Sequence, residues 1–152
     1  GIALSKRVYG DDKTVFCLCG DGELQEGQNW EAIMFAAHNR VDNLILTVDF
    51  NRQQIDGSTA DIMGFNELGS KFESFGWNVL TMNGNDLNDV IRVLGEAKVA
   101  SGNGQPIVII MSTEMGNGVD FMMGSHEWHG IAPNDEQLES ALAQNPETLG
   151  DY

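Results

Sequence analysis

One pattern narrows the possible folds more than any other, and it is an alternation. Short unbroken apolar runs take turns with segments whose apolar residues recur every three or four positions. Thr14–Cys19 (TVFCLC), Leu44–Val48 (LILTV), Trp77–Met82 and Pro106–Met111 (PIVIIM) are the runs. Continuous aliphatic composition over so short a span marks strands covered on both faces, as in parallel sheets. The last run begins at a proline, which a first strand position tolerates. Between the runs, Gln28–Asn39 sets Trp30, Ile33, Met34 and Ala37 on one helical stripe. Asp86–Ala100 does the same with Leu87, Val90, Ile91, Leu94 and Ala97. Asn66–Phe75, ending at Gly76, and Glu136–Ala143, opened by Asn134-Asp135-Glu136, are two further expected helices. Strand–helix–strand repetition with short connections predicts an α/β fold: a parallel sheet flanked by helices on both faces.

Residues 1–152 are expected to form a single domain, with no internal repeat or linker and a polar tail over 144–152. The opening Gly1-Ile2-Ala3-Leu4-Ser5 has no basic leader and no cleavage site. It runs into Lys6-Arg7 like the end of a helix whose start is missing, so the N-terminal part of the domain is expected to be lacking. The 23 acidic against 8 basic side chains give a formal charge of −15, which argues against nucleic acid as a partner. No span approaches the roughly 18 apolar residues of a membrane helix, and a cytoplasmic location is the expectation. Cys17 and Cys19 lie too close along one extended segment for a relaxed disulfide. They are expected to be small apolar core residues, and nothing in them requires an oxidising compartment.

Chemistry is concentrated where the first two runs end. Gly20-Asp21-Gly22 follows a buried strand and precedes a helix, at the carboxyl end where parallel sheets bind ligands. Two glycines let backbone approach a bulky anion, while Asp21 repels a naked phosphate unless a divalent cation lies between them. Alone, the tripeptide is more often an ordinary turn. The dinucleotide fingerprint fails because its third glycine falls on Gln25, and the nucleotide P-loop fails because Gln28 replaces lysine after Gly27. A calcium-loop reading from Asp49 fails at Gln54 and Ala60. Asn51 ends the next run, and one strand–helix–strand unit brings it beside Asp21. Carboxylate, amide oxygen and neighbouring carbonyls make a hard-oxygen set for Mg²⁺ or Ca²⁺. Gly116–Pro133 has no clear periodicity and three glycines within Gly116–Gly124, the mark of a functional or disordered loop. His38 reads as a helix-end residue, His126 as a structural one, and Trp30, Trp77 and Trp128 as core or interface aromatics.

Together, GDGELQEGQNWEA, AAH, DNLI, VDxNxxQIDG, STEMGNGVDF and EWHGIAPNDEQL resemble the transketolase family over nearly the whole chain. The likeness is closest to bacterial forms whose N-terminal section is encoded separately. It implies a thiamine diphosphate-binding fold and a metal site of Asp21, Asn51 and the Gln53 carbonyl. It also implies cofactor contacts from Gly20, Gly22 and Glu23 at the diphosphate, and from Ile55 and Met115 at the thiamine rings. Glu26 resembles a member of a carboxylate network across a subunit interface. His129 resembles the histidine near the cofactor's reactive carbon and the substrate hydroxyls. The implied activity is transfer of a two-carbon ketol unit between sugar phosphates. It requires a partner chain or domain that binds the pyrimidine, in a dimer or higher oligomer, so the isolated chain is expected to be inactive. The alternatives are a deoxyxylulose-phosphate synthase-like enzyme and a non-catalytic assembly subunit. Arg52 stands where many relatives have glycine and Gln53 where an aliphatic residue is usual, and Arg52 could pair outward or reach a phosphate.

Overall fold

All four apolar runs are strands, and the ladders carry each one residue or more past its apolar stretch. The structure, a computed structural model, describes residues 1–145. In chain order the elements are α1 (Ile2–Tyr9), β1 (Val15–Gly20), a 3₁₀ turn (Glu23–Gln25), α2 (Gly27–His38) and β2 (Leu44–Phe50). A hairpin of β3 (Gln53–Gln54) and β4 (Gly57–Ser58) leads to α3 (Thr59–Met63), α4 (Leu68–Phe75), β5 (Asn78–Asn83) and α5 (Leu87–Ala100). Then come β6 (Ile107–Ser112), a 3₁₀ turn (His126–His129) and α6 (Asp135–Gln144). The main sheet is parallel, in the order β1-β2-β6-β5. Backbone pairing ignores side-chain polarity, so β2 stays in register through Asp49↔Met111 and Phe50↔Ser112. That extension carries both strand ends to the candidate site.

The twofold period of the strands sorts the core into two layers. Leu46, Val48 and Val108 turn to the face covered by Ile33 and Ala36 of α2 and by Leu68 and Phe72 of α4. Ile45, Ile107 and Ile109 turn to the other face, against Val93 and Ala97 of α5. Both faces of β2 and β6 therefore carry core residues, which is why their runs are apolar but for half-buried Thr47. The first layer is rich in aromatics: the Trp30 ring lies 5.7 Å from Phe72, and Phe72 meets Trp77 edge-on at 5.5 Å. Buried indoles need an acceptor. Trp30 Nε1 donates to the Leu24 carbonyl at 2.8 Å and Trp77 Nε1 to the Ile33 carbonyl at 3.0 Å.

Several expectations need correcting. β1 is an edge strand, and on the α5 side its Phe16 and Leu18 are 48% and 69% exposed. Cys17 is exposed and so is not a core residue, whereas half-buried Cys19 packs against the margin of the core. An apolar run reports what a strand tolerates; only the layers around it decide what is covered, and α5 lies over β5 and β6 instead. The helix expected from Asn66 begins at Leu68, because Asn66 adopts a left-handed φ of 52° that no helix interior accepts. The last helix is set by a capping box: Asn134 Oδ1 accepts from the Gln137 N–H and Gln137 Oε1 from the Asn134 N–H, each at 2.9 Å. Of the expected polar tail, residues 146–152 lie outside the described residues.

Candidate functional site at the tips of two strands

β1 and β2 end side by side, with Gly20 opposite Asp49. The Asp21 N–H donates to the Asp49 carbonyl at 3.0 Å before the chain turns into its 3₁₀ segment, closed by Leu24 N–H to the Asp21 carbonyl at 3.1 Å. Gly20 N–H donates to Glu23 Oε2 at 2.6 Å, so that glutamate holds the turn it belongs to. From β2 the chain enters a second turn. Asn51 Oδ1 accepts from the Gln53 N–H at 2.8 Å, and the Arg52 carbonyl accepts from the N–H of buried Thr59 at 2.9 Å. The short hairpin is thereby tied down at its base.

The two turns touch. Asp21 is 1% exposed; its Oδ1 accepts from the Gly22 N–H at 2.9 Å and its Oδ2 from the Arg52 N–H, across the strand gap, at 2.7 Å. A Cβ on Gly22 would stand 2.9 Å from Gln54 Cβ and 3.9 Å from the Gln53 carbonyl oxygen, so only glycine permits this approach. Burial pushes the Asp21 carboxyl above its ordinary range, and the Asp49 charge adds to the shift. The N–H bonds from Arg52 and Gly22 pull the other way. Among the described residues, no cationic side chain lies within 4.0 Å of Asp21 or Asp49. A buried carboxylate without a counter-charge is costly, and a divalent cation among hard oxygens is one remedy. No cluster of three or more His, Cys, Asp or Glu side chains converges among the described residues. The candidate is therefore an oxygen site of Asp21, the Asn51 amide and the Gln53 carbonyl, and these residues suit Mg²⁺ or Ca²⁺.

Arg52 does not pair outward with a carboxylate among the described residues. Its guanidinium lies over the Phe50 ring, 4.9 Å from the centroid. Its φ of 63° is left-handed, which explains why glycine suits this position. The remaining expected residues are more scattered. Glu26 is exposed at the start of α2 and makes no capping bond. Ile55, at the hairpin tip, is 71% exposed, and Met115 is half-buried after β6. The glycine-rich segment is structured: Trp128 packs edge-on against Phe121 and donates to its carbonyl at 3.0 Å. Its 3₁₀ turn packs against β3, which puts exposed His129 on the Gln53–Gln54 side of the site.

Two residues escape the sequence reading. Thr113, just after β6, donates its hydroxyl to Asp49 Oδ1. Asp49 enters that reading as the start of a calcium loop and as an unassigned position of the VDxNxxQIDG stretch. The available signal is its place in the ladder, in a run otherwise apolar but for one threonine.

The sequence matches the family described as "Transketolase, thiamine diphosphate binding domain" over residues 8–147. The chain is 39% identical, over 95% of its length, to an apulose-4-phosphate transketolase subunit of Actinobacillus succinogenes. It is 35% identical, over 95% of its length, to the 6-deoxy-6-sulfo-D-fructose transketolase subunit SqwG of Clostridium sp.. It spans about half of these curated relatives, 51% and 52%. The crystal structure of transketolase from Campylobacter jejuni superimposes with a TM-score of 0.79 at 34% identity, covering 88% of this chain and 20% of that one. The fold is thus that of an α/β domain of the transketolase type. The chain belongs to the transketolase thiamine diphosphate-binding domain family.

Proposed function

We propose that this domain is the diphosphate- and Mg²⁺-binding part of a transketolase that moves a two-carbon ketol unit between sugar phosphates, working with a partner chain. The observation that supports the reading best is the meeting of the two turns, where buried, unneutralised Asp21 accepts from the Arg52 N–H beside Asn51 and Gln53. The Asp21 carboxylate, the Asn51 amide oxygen and the Gln53 carbonyl would hold the cation, and the Gly20–Glu23 turn would meet the diphosphate. Rigid backbone at both strand ends would keep the cofactor from drifting, which is the protein's main share in such chemistry. When bound, thiamine diphosphate supplies the carbon nucleophile and the electron sink. Ile55 and Met115 would give it apolar contact. His129 would orient, or exchange protons with, the sugar hydroxyls, a duty suited to an imidazole. Glu26, exposed and uncommitted, is available to a carboxylate network with a neighbouring subunit.

That both relatives are named as transketolase subunits, and that the match spans half their length, supports a partner carrying the pyrimidine-binding part. The reading goes with a dimer or higher oligomer and a cytoplasmic location. Among the described residues, no helix is long and apolar enough to cross a membrane. Calorimetry with thiamine diphosphate, with and without Mg²⁺, tests the cofactor site: metal-dependent binding is expected, and its absence refutes the reading. Ketol transfer from ketose phosphates, assayed for the chain alone and with a pyrimidine-domain partner, tests the division of labour. Full turnover by the chain alone refutes the need for a partner.

A further inference from the structure

Three strand ends meet at one aspartate, Asp49, that the proposed set of cation ligands does not use. The Asp49 backbone carbonyl accepts from the Asp21 N–H at 3.0 Å, which ties β2 to the turn after β1. Its side chain takes the Thr113 hydroxyl on Oδ1, which ties β2 to the end of β6. Thr113 is itself pressed into place from β5. A Cβ on Gly84 would stand 2.5 Å from Thr113 Cγ2 and 2.4 Å from Met111 Cγ, and the Gly84 N–H donates to the Ser112 carbonyl at 2.8 Å. Asp49 Oδ2 has no partner among the described residues.

We propose that Asp49, oriented by Thr113, is a positioning carboxylate that sets the cation affinity of the strand-tip site. The inference rests on the cofactor reading above. Asp21 alone offers one negative charge to a divalent cation; Asp49 brings the protein's contribution to two, with no further ligand atom required. Such a carboxylate acts through the field it imposes and through the placement of its neighbour. The bond from the Asp21 N–H to the Asp49 carbonyl ties the two backbones together, so a shift of Asp49 moves the ligand-bearing turn. Outer groups of this kind typically change metal affinity roughly 10–100-fold when removed.

A merely structural role, as a clip between β2 and β6, is separable by choice of variant. Asp49→Asn keeps an oxygen to accept from Thr113 and removes only the charge. Thr113→Val removes the hydroxyl and keeps the charge, and Thr113→Ser restores the donor. Mn²⁺ binding to the 152-residue chain would be followed by electron paramagnetic resonance, with and without thiamine diphosphate. Thermal unfolding without metal would be followed alongside. The expected result is Mn²⁺ binding weakened roughly 10–100-fold in Asp49→Asn, with an unchanged metal-free midpoint. A smaller loss is expected in Thr113→Val, restored in Thr113→Ser. Unchanged Mn²⁺ affinity in Asp49→Asn overturns the inference and leaves the cofactor reading standing. A lowered metal-free midpoint with unchanged affinity assigns Asp49 to the clip role and overturns it as well. Failure of the unmodified chain to bind Mn²⁺ in the presence of thiamine diphosphate overturns both.

Discussion

Replacing Gly22 with alanine tests whether the two turns hold each other at the distance seen. Gly22 itself adopts φ −60° and ψ −36°, an ordinary right-handed conformation, so alanine brings no backbone strain. The whole effect is steric. The new Cβ would sit 2.9 Å from Gln54 Cβ, against the roughly 3.5–4.0 Å at which carbon atoms rest. The obstacle is the first atom of the Gln54 side chain, which cannot swing away without moving backbone. Overpacking of this size costs about 1–3 kcal/mol. In a domain of this length that lowers the unfolding midpoint by roughly 2–4 °C per kcal/mol. Relief by movement instead of strain would part the turns by about 0.6–1 Å, the shortfall from ordinary contact. Binding of Mg²⁺ with thiamine diphosphate would then fall more than stability does. Differential scanning calorimetry and binding calorimetry on Gly22→Ala, Gln54→Gly and the double variant measure both. The double variant has no Cβ at 54 to strike, so the cycle should show a favourable coupling of at least about 1 kcal/mol. An alanine variant as stable as the parent, or a double variant whose losses simply add, refutes the steric account.

Other consequences are open to measurement. Phe72→Ala empties a fully buried place between Trp30 and Trp77 and should cost about 3–5 kcal/mol in denaturant unfolding. Arg52→Ala keeps the left-handed backbone but loses the Phe50 stacking, whereas Arg52→Gly loses the stacking and relieves the backbone. The glycine variant should therefore be more stable than the alanine one, by about 1 kcal/mol on chemical denaturation. Burial, with the Glu23 charge beside it, pushes the Cys19 thiol up to about 11. Exposed Cys17 should thus be alkylated first at neutral pH, with Cys19 gaining only as pH approaches that value; equal rates by mass spectrometry would contradict this. The folded Asp21 carboxyl lies above its unfolded value of 3.8, so its ionised form burdens the metal-free fold, and protonation relieves that burden as pH falls through the folded value. Bound cation favours the ionised form instead. Unfolding midpoints with and without Mg²⁺ and thiamine diphosphate should therefore converge on acidification, starting above the ordinary aspartate range.

The strands, the long helices, the α/β class and the two turns that matter were all legible in the amino-acid order, because each is written in local terms. Period-two and period-3.6 patterns name the elements, and Gly20-Asp21-Gly22 and Asn51 follow directly from where two apolar runs stop. The capping box at Asn134 is likewise local. Which strand lies at an edge was settled only by assembly in three dimensions. TVFCLC and PIVIIM look alike as text, yet Leu18 is exposed and Val108 is fully buried, since β6 has a strand on each side and helices over both faces while β1 has neither. Assembly also made the partnership of Asp49 with Thr113, which are 64 residues apart and meet only because β2 and β6 are paired in register. The short hairpin and α3 fall in the same class: they are too brief to show a period and are held by single bonds such as Thr59 N–H to the Arg52 carbonyl. Local chemistry marks what a residue is able to do, whereas strand order and register decide what stands next to it.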